Sequence, residues 1–101
     1  MAEEVVRRQL QVVNPLGLHA RPAALIVKLA NQFQSEVELI KGEQRVDAKS
    51  IILLLTLAAE QGTVLLLEAR GGDAHAAADA IEKLFSKGLG DLDADPNTPV
   101  A

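Results

Sequence analysis

His19 and Arg21 are the residues whose types and spacing most clearly suggest chemistry. They lie two positions apart in the segment Asn14–Ala24, where a glycine-containing turn leads into an apolar pattern of helical period. A neutral imidazole nitrogen is a competent nucleophile near neutral pH, and a guanidinium offers a fork of N–H donors to an anion. The pair predicts phosphoryl chemistry, with His19 as the nucleophile and Arg21 as the group that stabilises the charge.

A helix that begins just after His19 would give this chemistry its setting. Pro22 suits the first turn of such a helix, where a missing N–H costs no intrahelical hydrogen bond. The amides of that turn have no intrahelical partner and the helix dipole makes that end positive, which favours a phosphoryl group and a neutral imidazole. The apolar residues that recur at helical spacing are Ala23, Ile26, Val27, Ala30 and Phe33.

This motif resembles the active-site signature of the HPr family of phosphocarrier proteins, which belong to the phosphoenolpyruvate-dependent phosphotransferase system. The matching segment is Leu16–Ala23. A second family signature, around a regulatory serine, matches Asp47–Ile51. The similarity extends over nearly the whole domain, from about Val5 to Gly88.

The resemblance implies a fold, a reaction and two partners. The family fold is an open-faced β-sandwich of the α+β class, in which three helices cover one side of a four-stranded antiparallel sheet. A family histidine is phosphorylated on Nδ1 by Enzyme I and passes the phosphoryl group to an acceptor protein of the IIA type. By resemblance, His19 is that phosphohistidine and Arg21 its charge partner, in a carrier that is not an autonomous enzyme and needs no cofactor.

Ser50 permits two interpretations. As the N-cap of the helix predicted to follow it, Ser50 would stabilise that helix by about 1 kcal/mol without any modification. In some HPr proteins the matching serine is phosphorylated by a dedicated kinase, and the added charge could repel an acidic partner surface. The alternative to a carrier is therefore a regulatory binding module that a serine kinase and phosphatase control through Ser50, with His19 idle.

The apolar run Ile51–Leu57 also has two interpretations. A short helix that is apolar nearly all round must bury most of its surface or present some of it to a partner. We expect part of this helix to enter the core. We expect Leu18, Ile52 and Leu53 to form a docking surface beside His19, where Enzyme I and the acceptor would bind.

Two segments bear on the branch of the phosphotransferase system. Sugar-uptake members regulated at the serine commonly have methionines and a glycine where this chain has Ile52, Leu53 and Leu55. The leucine-rich helix and the segment Leu84–Asp91 are more similar to the nitrogen-branch relatives, whose acceptor is a regulatory IIA protein. The motif is short, so sugar uptake and nitrogen regulation both stay open.

The remaining polar residues indicate no further chemistry. His75 has no arginine nearby and is interpreted as a solvated surface residue. The two histidines show no zinc-site spacing, so we expect no metal. The acidic residues are interpreted as solvated faces rather than the paired carboxylates of a hydrolase; these are Glu36, Glu38, Glu43, Asp47 and Glu60.

Composition narrows the functional class. A chain of 101 residues is sufficient for one small domain, which we place at residues 4–90, followed by an acidic tail over residues 91–101 that we expect to be disordered. The net charge of −4 and the absence of tyrosine and tryptophan argue against a nucleic-acid partner. No apolar run is long enough to cross a membrane, and the N-terminus has no secretory signature. We expect a soluble, cytoplasmic protein.

The order of elements predicts a two-layer α+β domain. A strand through Val6 to Val12 precedes the helix after His19, and a hairpin follows with strands at Ser35–Ile40 and Gln44–Val46. The other predicted elements are a helix from Ser50 stopped by Gly62, a central strand Thr63–Ala69 that is apolar on both faces, and a helix capped by Asp73 and ended by Gly88 or Gly90.

Overall fold

Four antiparallel strands form one sheet, and three helices cover one of its faces. The computed structural model describes residues 4–89, so the predicted tail over residues 91–101 lies outside the described residues. The elements are β1 (Val5–Gln11), α1 (Ala20–Ala30), β2 (Glu36–Lys41), β3 (Gln44–Asp47), α2 (Ile51–Thr56), β4 (Val64–Arg70) and α3 (Ala74–Ser86). The predicted two-layer α+β class and the open-faced sandwich are confirmed.

The sheet has the strand order β1-β4-β2-β3, with every neighbouring pair antiparallel. The predicted hairpin joins β2 and β3, whose last paired residues are Lys41 and Gln44. Gly42 has a φ of +60° in the two-residue turn between them, a conformation that glycine adopts without steric cost. β4 is central, as predicted, and its neighbours are the first strand and the hairpin.

The hydrophobic core lies between the sheet and the helices. Alternation along each strand places one set of side chains under the helices, and Leu65 and Leu67 of β4 and Leu39 of β2 are fully buried there. Leucine, isoleucine, valine and alanine build most of this core, with Phe85 of α3 as its buried aromatic side chain among residues 4–89.

β4 carries apolar residues on both faces, as predicted, but the helices cover only one of these faces. Val64 and Leu66 point to the face without helices and are exposed. β4 is flanked by strands on both edges, so its backbone is buried by pairing while one of its faces stays open to solvent.

Two predicted helix ends differ from the observed ones, and the third agrees. α1 ends at Ala30, so Phe33 packs on the core from the turn beyond the helix. α2 ends at Thr56, and the first residue with a positive φ after it is Ala58, at +48°, well before Gly62, whose φ is +91°. α3 ends before Gly88, whose φ of +68° fits the predicted glycine stop.

Asp73 occupies the predicted N-cap position of α3, but its side chain does not cap the helix. Its carboxylate instead accepts hydrogen bonds from the amides of Gln34 and Ser35, at 3.0 and 2.9 Å, and from the Ser35 hydroxyl. The Ser35 hydroxyl, together with these amides, lowers the pKa of Asp73. The residue therefore ties the turn after α1 to the start of α3.

Candidate functional site

His19 is the N-cap residue of α1, as the sequence predicts. Its backbone is extended, with φ −93° and ψ −169°, and its carbonyl accepts the first helical hydrogen bond, from the Ala23 amide at 3.0 Å. The amides of Ala20 and Arg21 precede that bond in the helix, and Pro22 contributes no N–H. His19 is half-buried and Arg21 exposed, so both residues are at the positive end of the helix dipole and accessible from solvent.

The turn that carries His19 packs against the segment Ala58–Gln61. The Leu18 amide donates to the Ala59 carbonyl at 2.8 Å. Gly17 has a φ of +71°, and a Cβ at this position would stand 2.5 Å from the same carbonyl oxygen. Two features therefore require glycine at position 17: the positive φ of its backbone, and the close approach of the segment Ala58–Gln61.

The two segments enclose an open depression of about 580 Å³ with His19 in its wall. One side is formed by the turn before α1, and the other by Ala58–Gln61. The residues that line it are Pro15, Leu16, Leu18, His19, Ala58, Ala59, Glu60 and Gln61. An open, mostly uncharged depression leaves room for the histidine of this wall to meet a group carried by another protein.

The segment Ala58–Gln61 was not recognised as part of the site from the sequence. In the sequence, Ala58 and Ala59 indicate the end of a helix stopped by Gly62 and Glu60 a solvated face, and no residue type in the segment is typical of phosphoryl chemistry. Its relation to His19 depends on backbone hydrogen bonds across more than forty positions, and no local signal reveals these.

Ser50 is the N-cap of α2, as predicted, and its hydroxyl accepts a hydrogen bond from the Leu53 amide at 3.2 Å. The residue is half-buried and does not line the depression beside His19. It lies instead on the element that packs against α1, since α1 and α2 are in contact. The capping interpretation therefore accounts for Ser50 in the unmodified protein.

An exposed apolar surface extends along α2. Ile52 is 70 % exposed and Leu53 41 %, and Leu55 adds to the same surface, whereas Leu54 is buried in the core. Leu18 lines the depression but is only 4 % exposed, so little of its side chain is open to the docking that the sequence led us to expect. Leu16 also lines the depression and is 62 % exposed.

The other candidates from the sequence lie apart from this site. His75 is exposed and its Nε2 is 3.2 Å from a carboxylate oxygen of Glu4, at the far end of β1. Within residues 4–89 no cluster of three histidine or acidic side chains is arranged to hold a metal ion. Over the same residues, no helix combines the length and the apolar character that crossing a bilayer requires.

Comparison with known proteins points to a single family. The family model described as the PTS HPr component phosphorylation site matches residues 6–87. The phosphocarrier protein HPr of Treponema pallidum is 46 % identical over 81 residues, which cover 80 % of this chain and 92 % of that protein. The phosphocarrier protein NPr of Shewanella violacea is 41 % identical over 76 residues, covering 75 % and 84 % respectively.

The fold agrees with these sequence relationships. The crystal structure of an HPr from Thermoanaerobacter tengcongensis superimposes with a TM-score of 0.81 at 38 % sequence identity, covering 84 % of this chain and 96 % of that one. The region matched by the family model contains the histidine turn, α2 and all of the sheet except Val5. The chain belongs to the HPr family of phosphocarrier proteins of the phosphotransferase system.

Proposed function

We propose that this protein accepts a phosphoryl group on His19 from phospho-Enzyme I and passes it to a IIA-type acceptor. The observation that carries the proposal is the position of His19, which is the N-cap residue at the positive end of α1 and lines an open depression. A helix N-terminus favours an added dianion, and Arg21 in the same turn supplies a permanent cation.

The transfer needs positioning more than covalent machinery. The lone pair of the His19 Nδ1 forms a bond to phosphorus as the donor's bond to phosphorus breaks, and the donor keeps that electron pair. In the second transfer, the acceptor attacks the same phosphorus and the electrons of the N–P bond return to the imidazole. The protein ends each cycle unchanged, as a carrier rather than an enzyme.

Phosphorylation by Enzyme I and phosphoenolpyruvate tests the proposal. We expect an acid-labile species heavier by about 80 Da, present in the wild type and in the control His75→Ala but absent in His19→Ala. We expect Arg21→Ala to slow labelling by about 10- to 100-fold, because one charge-stabilising donor is lost. A wild type that its cognate Enzyme I does not label would contradict the proposal.

The partners would dock on the exposed apolar surface of α2 and on Leu16. These side chains stand near the helix that carries His19, and transient partners use small surfaces of this kind. We expect Ile52→Ser or Leu53→Ser to raise the KM for transfer and leave kcat nearly unchanged. Val64→Ser, on the opposite face of the molecule, is the control.

A regulatory role for Ser50 is the second candidate function. Ser50 caps the helix that bears the exposed apolar surface, so a phosphate there would add charge at the edge of that surface. We expect Ser50→Asp to weaken docking while Ser50→Ala retains it. If His19→Ala left partner binding and cell phenotype intact while the Ser50 variants altered them, the regulatory module would replace the carrier.

The aliphatic surface of α2 favours the nitrogen branch as the route of the phosphoryl group. The relative from Shewanella violacea carries the name of that branch, and Ile52, Leu53 and Leu55 expose only aliphatic side chains. We expect a nitrogen-type IIA protein to discharge phospho-His19 faster than a sugar-type IIA protein. Faster discharge by the sugar-type acceptor would assign the protein to sugar uptake.

A further inference from the structure

Lys41 joins the hairpin to the C-terminal end of α2. It is the last residue of β2, on the side of the strand that the helices cover, and its Nζ donates to the Leu57 carbonyl at 2.9 Å. The Ala58 carbonyl lies 3.5 Å from the same nitrogen. From the other strand of the hairpin, the side-chain amide nitrogen of Gln44 (Nε2) donates to the Thr56 carbonyl at 3.3 Å. Two side chains of the hairpin thus hold one helix end.

The end of α2 needs such partners. The last carbonyls of a helix have no intrahelical donor, and the dipole leaves that end negative. α2 has six residues and no basic residue in its own last turn. The ammonium of Lys41 supplies the missing positive charge from another element, in the place that a lysine of the helix itself would ordinarily take.

The carbonyls that Lys41 holds lead directly into the wall of the His19 depression. Ala58 has a φ of +48°, a left-handed conformation that costs a residue with a Cβ roughly 1–2 kcal/mol. The next residue, Ala59, accepts the Leu18 amide and touches Gly17. A backbone turn with an unfavourable conformation therefore supports the turn that carries His19, and Lys41 is bonded to that backbone.

We propose that Lys41 is a positioning residue for phosphoryl transfer at His19. It acts through the Leu57 and Ala58 carbonyls, which set the place of the Ala59 carbonyl and so of the turn before His19. The inference rests on the proposed carrier function. It predicts that the ammonium is needed for the geometry of the depression as well as for the stability of α2.

The test compares three variants. Lys41→Met keeps most of the apolar stem but removes the donors, Lys41→Arg keeps a donating cation, and Lys83→Met removes an exposed lysine of α3 as a control. Transfer from phospho-Enzyme I is measured well below the thermal midpoint of each variant. We expect kcat/KM to fall about tenfold in Lys41→Met, to recover most of that loss in Lys41→Arg, and to stay at the wild-type value in Lys83→Met.

Hydrogen exchange supplies a readout that does not depend on phosphorylation. The Leu18 amide is bonded to the Ala59 carbonyl, and the Leu67 amide of the central strand serves as a reference for global unfolding. We expect Lys41→Met to raise the ratio of the Leu18 to the Leu67 exchange rate about tenfold, because only the turn opens locally.

The two proposals fail separately. If Enzyme I does not label the wild type, the carrier function fails, and the exchange ratio still shows whether Lys41 positions the turn. If Lys41→Met is folded and both kcat/KM and the exchange ratio equal the wild-type values, the positioning role is wrong. A lower thermal midpoint with no change in either quantity also overturns it, because the role of Lys41 is then purely structural.

Discussion

Two small residues with a positive φ, Gly17 and Ala58, shape the turn before His19 and the segment packed against it. Gly17 has a positive φ and stands against the Ala59 carbonyl, whereas Ala58 has a positive φ without being glycine. Gly17 adopts this conformation without steric cost, whereas Ala58 adopts it although it has a Cβ. The two residues lie in the two segments that form the depression, so their backbone energies bear directly on the site.

Gly17→Ala should destabilise the fold and misplace His19. The new methyl group would overlap the Ala59 carbonyl and the left-handed backbone would be strained, so we expect a loss of about 2–4 kcal/mol in the free energy of unfolding. Urea unfolding followed by circular dichroism measures it, since the chain has no tyrosine or tryptophan.

Gly42→Ala separates the two causes, because Gly42 has a φ of +60° but open space around it. We expect a cost of about 1–2 kcal/mol there, from the backbone alone. Equal losses in Gly17→Ala and Gly42→Ala would show that the contact with Ala59 contributes nothing.

Ala58→Gly should stabilise the protein. The left-handed conformation at Ala58 is relieved, and part of the gain is offset by the larger freedom of glycine in the unfolded chain, so we expect a net gain of about 0.5–1 kcal/mol. The control Ala59→Gly, with no positive φ to relieve and a buried methyl group to lose, should destabilise. A loss of stability in Ala58→Gly would contradict the strain assigned to this turn.

At the residue scale, the sequence correctly placed His19 and Arg21 at the start of a helix. It gave no indication of Lys41 or of the Ala59 carbonyl. Histidine, arginine, proline and glycine carry their signal within a few positions, because caps and turns are local. A lysine that bonds carbonyls sixteen positions away resembles any other lysine in the sequence.

At the scale of elements, α2 combines a buried residue and an exposed apolar surface within six positions. Leu54 is buried in the core, and Ile52, Leu53 and Leu55 face solvent. The helix is held at its start by the Ser50 side chain and at its end by the hairpin. Because so short a helix is marginal by itself, these bonds from outside it maintain the surface that partners would meet.

Ser50→Ala should lower the free energy of unfolding by about 1 kcal/mol, because the Leu53 amide loses its acceptor. Ser50→Asp keeps an acceptor at the N-cap and should stay near the wild-type stability. Ser86→Ala, at the exposed end of α3, is the matched control and should change stability by less than about 0.5 kcal/mol. Thermal and urea unfolding of the three variants check these values, and an unchanged Ser50→Ala would rule out the cap as a source of stability.

The capping prediction was confirmed for Ser50 and wrong for Asp73, for a physical reason. Both residues are short polar side chains just before a helix, and the sequence treats them alike. The Asp73 carboxylate lies beside the amides of Gln34 and Ser35, which arrive from 38 or more positions away and outcompete the helix for it. Local preference decides where a helix begins, and tertiary contacts decide what its cap bonds to.

At the scale of the whole molecule, the face of the sheet that the helices leave open carries a cluster of ion pairs around Glu68. Glu68 of β4 is only 4 % exposed although no helix covers this face, because three arginines surround its carboxylate. The three arginines belong to three different strands: Arg45 to β3, Arg7 to β1 and Arg70 to β4. A guanidinium nitrogen of Arg45 lies 2.8 Å from a carboxylate oxygen of Glu68. Glu38 lies opposite Glu68 in the register, and Arg45 bridges the two like charges.

This cluster predicts how stability depends on pH. The hydrogen bond and charge of Arg45, with a contribution from Arg7, lower the pKa of Glu68 below its usual value. A carboxyl with a lowered pKa in the folded state stabilises the protein above its usual pKa, and this stabilisation is lost as the pH falls. We expect the urea midpoint of the wild type to decline between about pH 5 and pH 2.

The Glu68→Gln variant should be less stable than the wild type at neutral pH, and its urea midpoint should fall less than that of the wild type as the pH is lowered. Glu43→Gln, in the exposed hairpin turn, is the control and should follow the wild-type pH profile. Circular dichroism in urea at several pH values measures both. Parallel profiles for Glu68→Gln and the wild type would show that Glu68 does not carry the acid dependence.

The sequence by itself determined the elements, the α+β class and the histidine motif, because side-chain periodicity, caps and turns act over a few residues. Only the tertiary structure decided which face of the sheet the helices cover. It also brought the segment Ala58–Gln61 beside His19. It also decided that Lys41 and Glu68 take partners from other elements. Those contacts join residues far apart in the chain, and their energies depend on distances that exist only after folding. The depression beside His19 is thus lined in part by residues with no motif of their own.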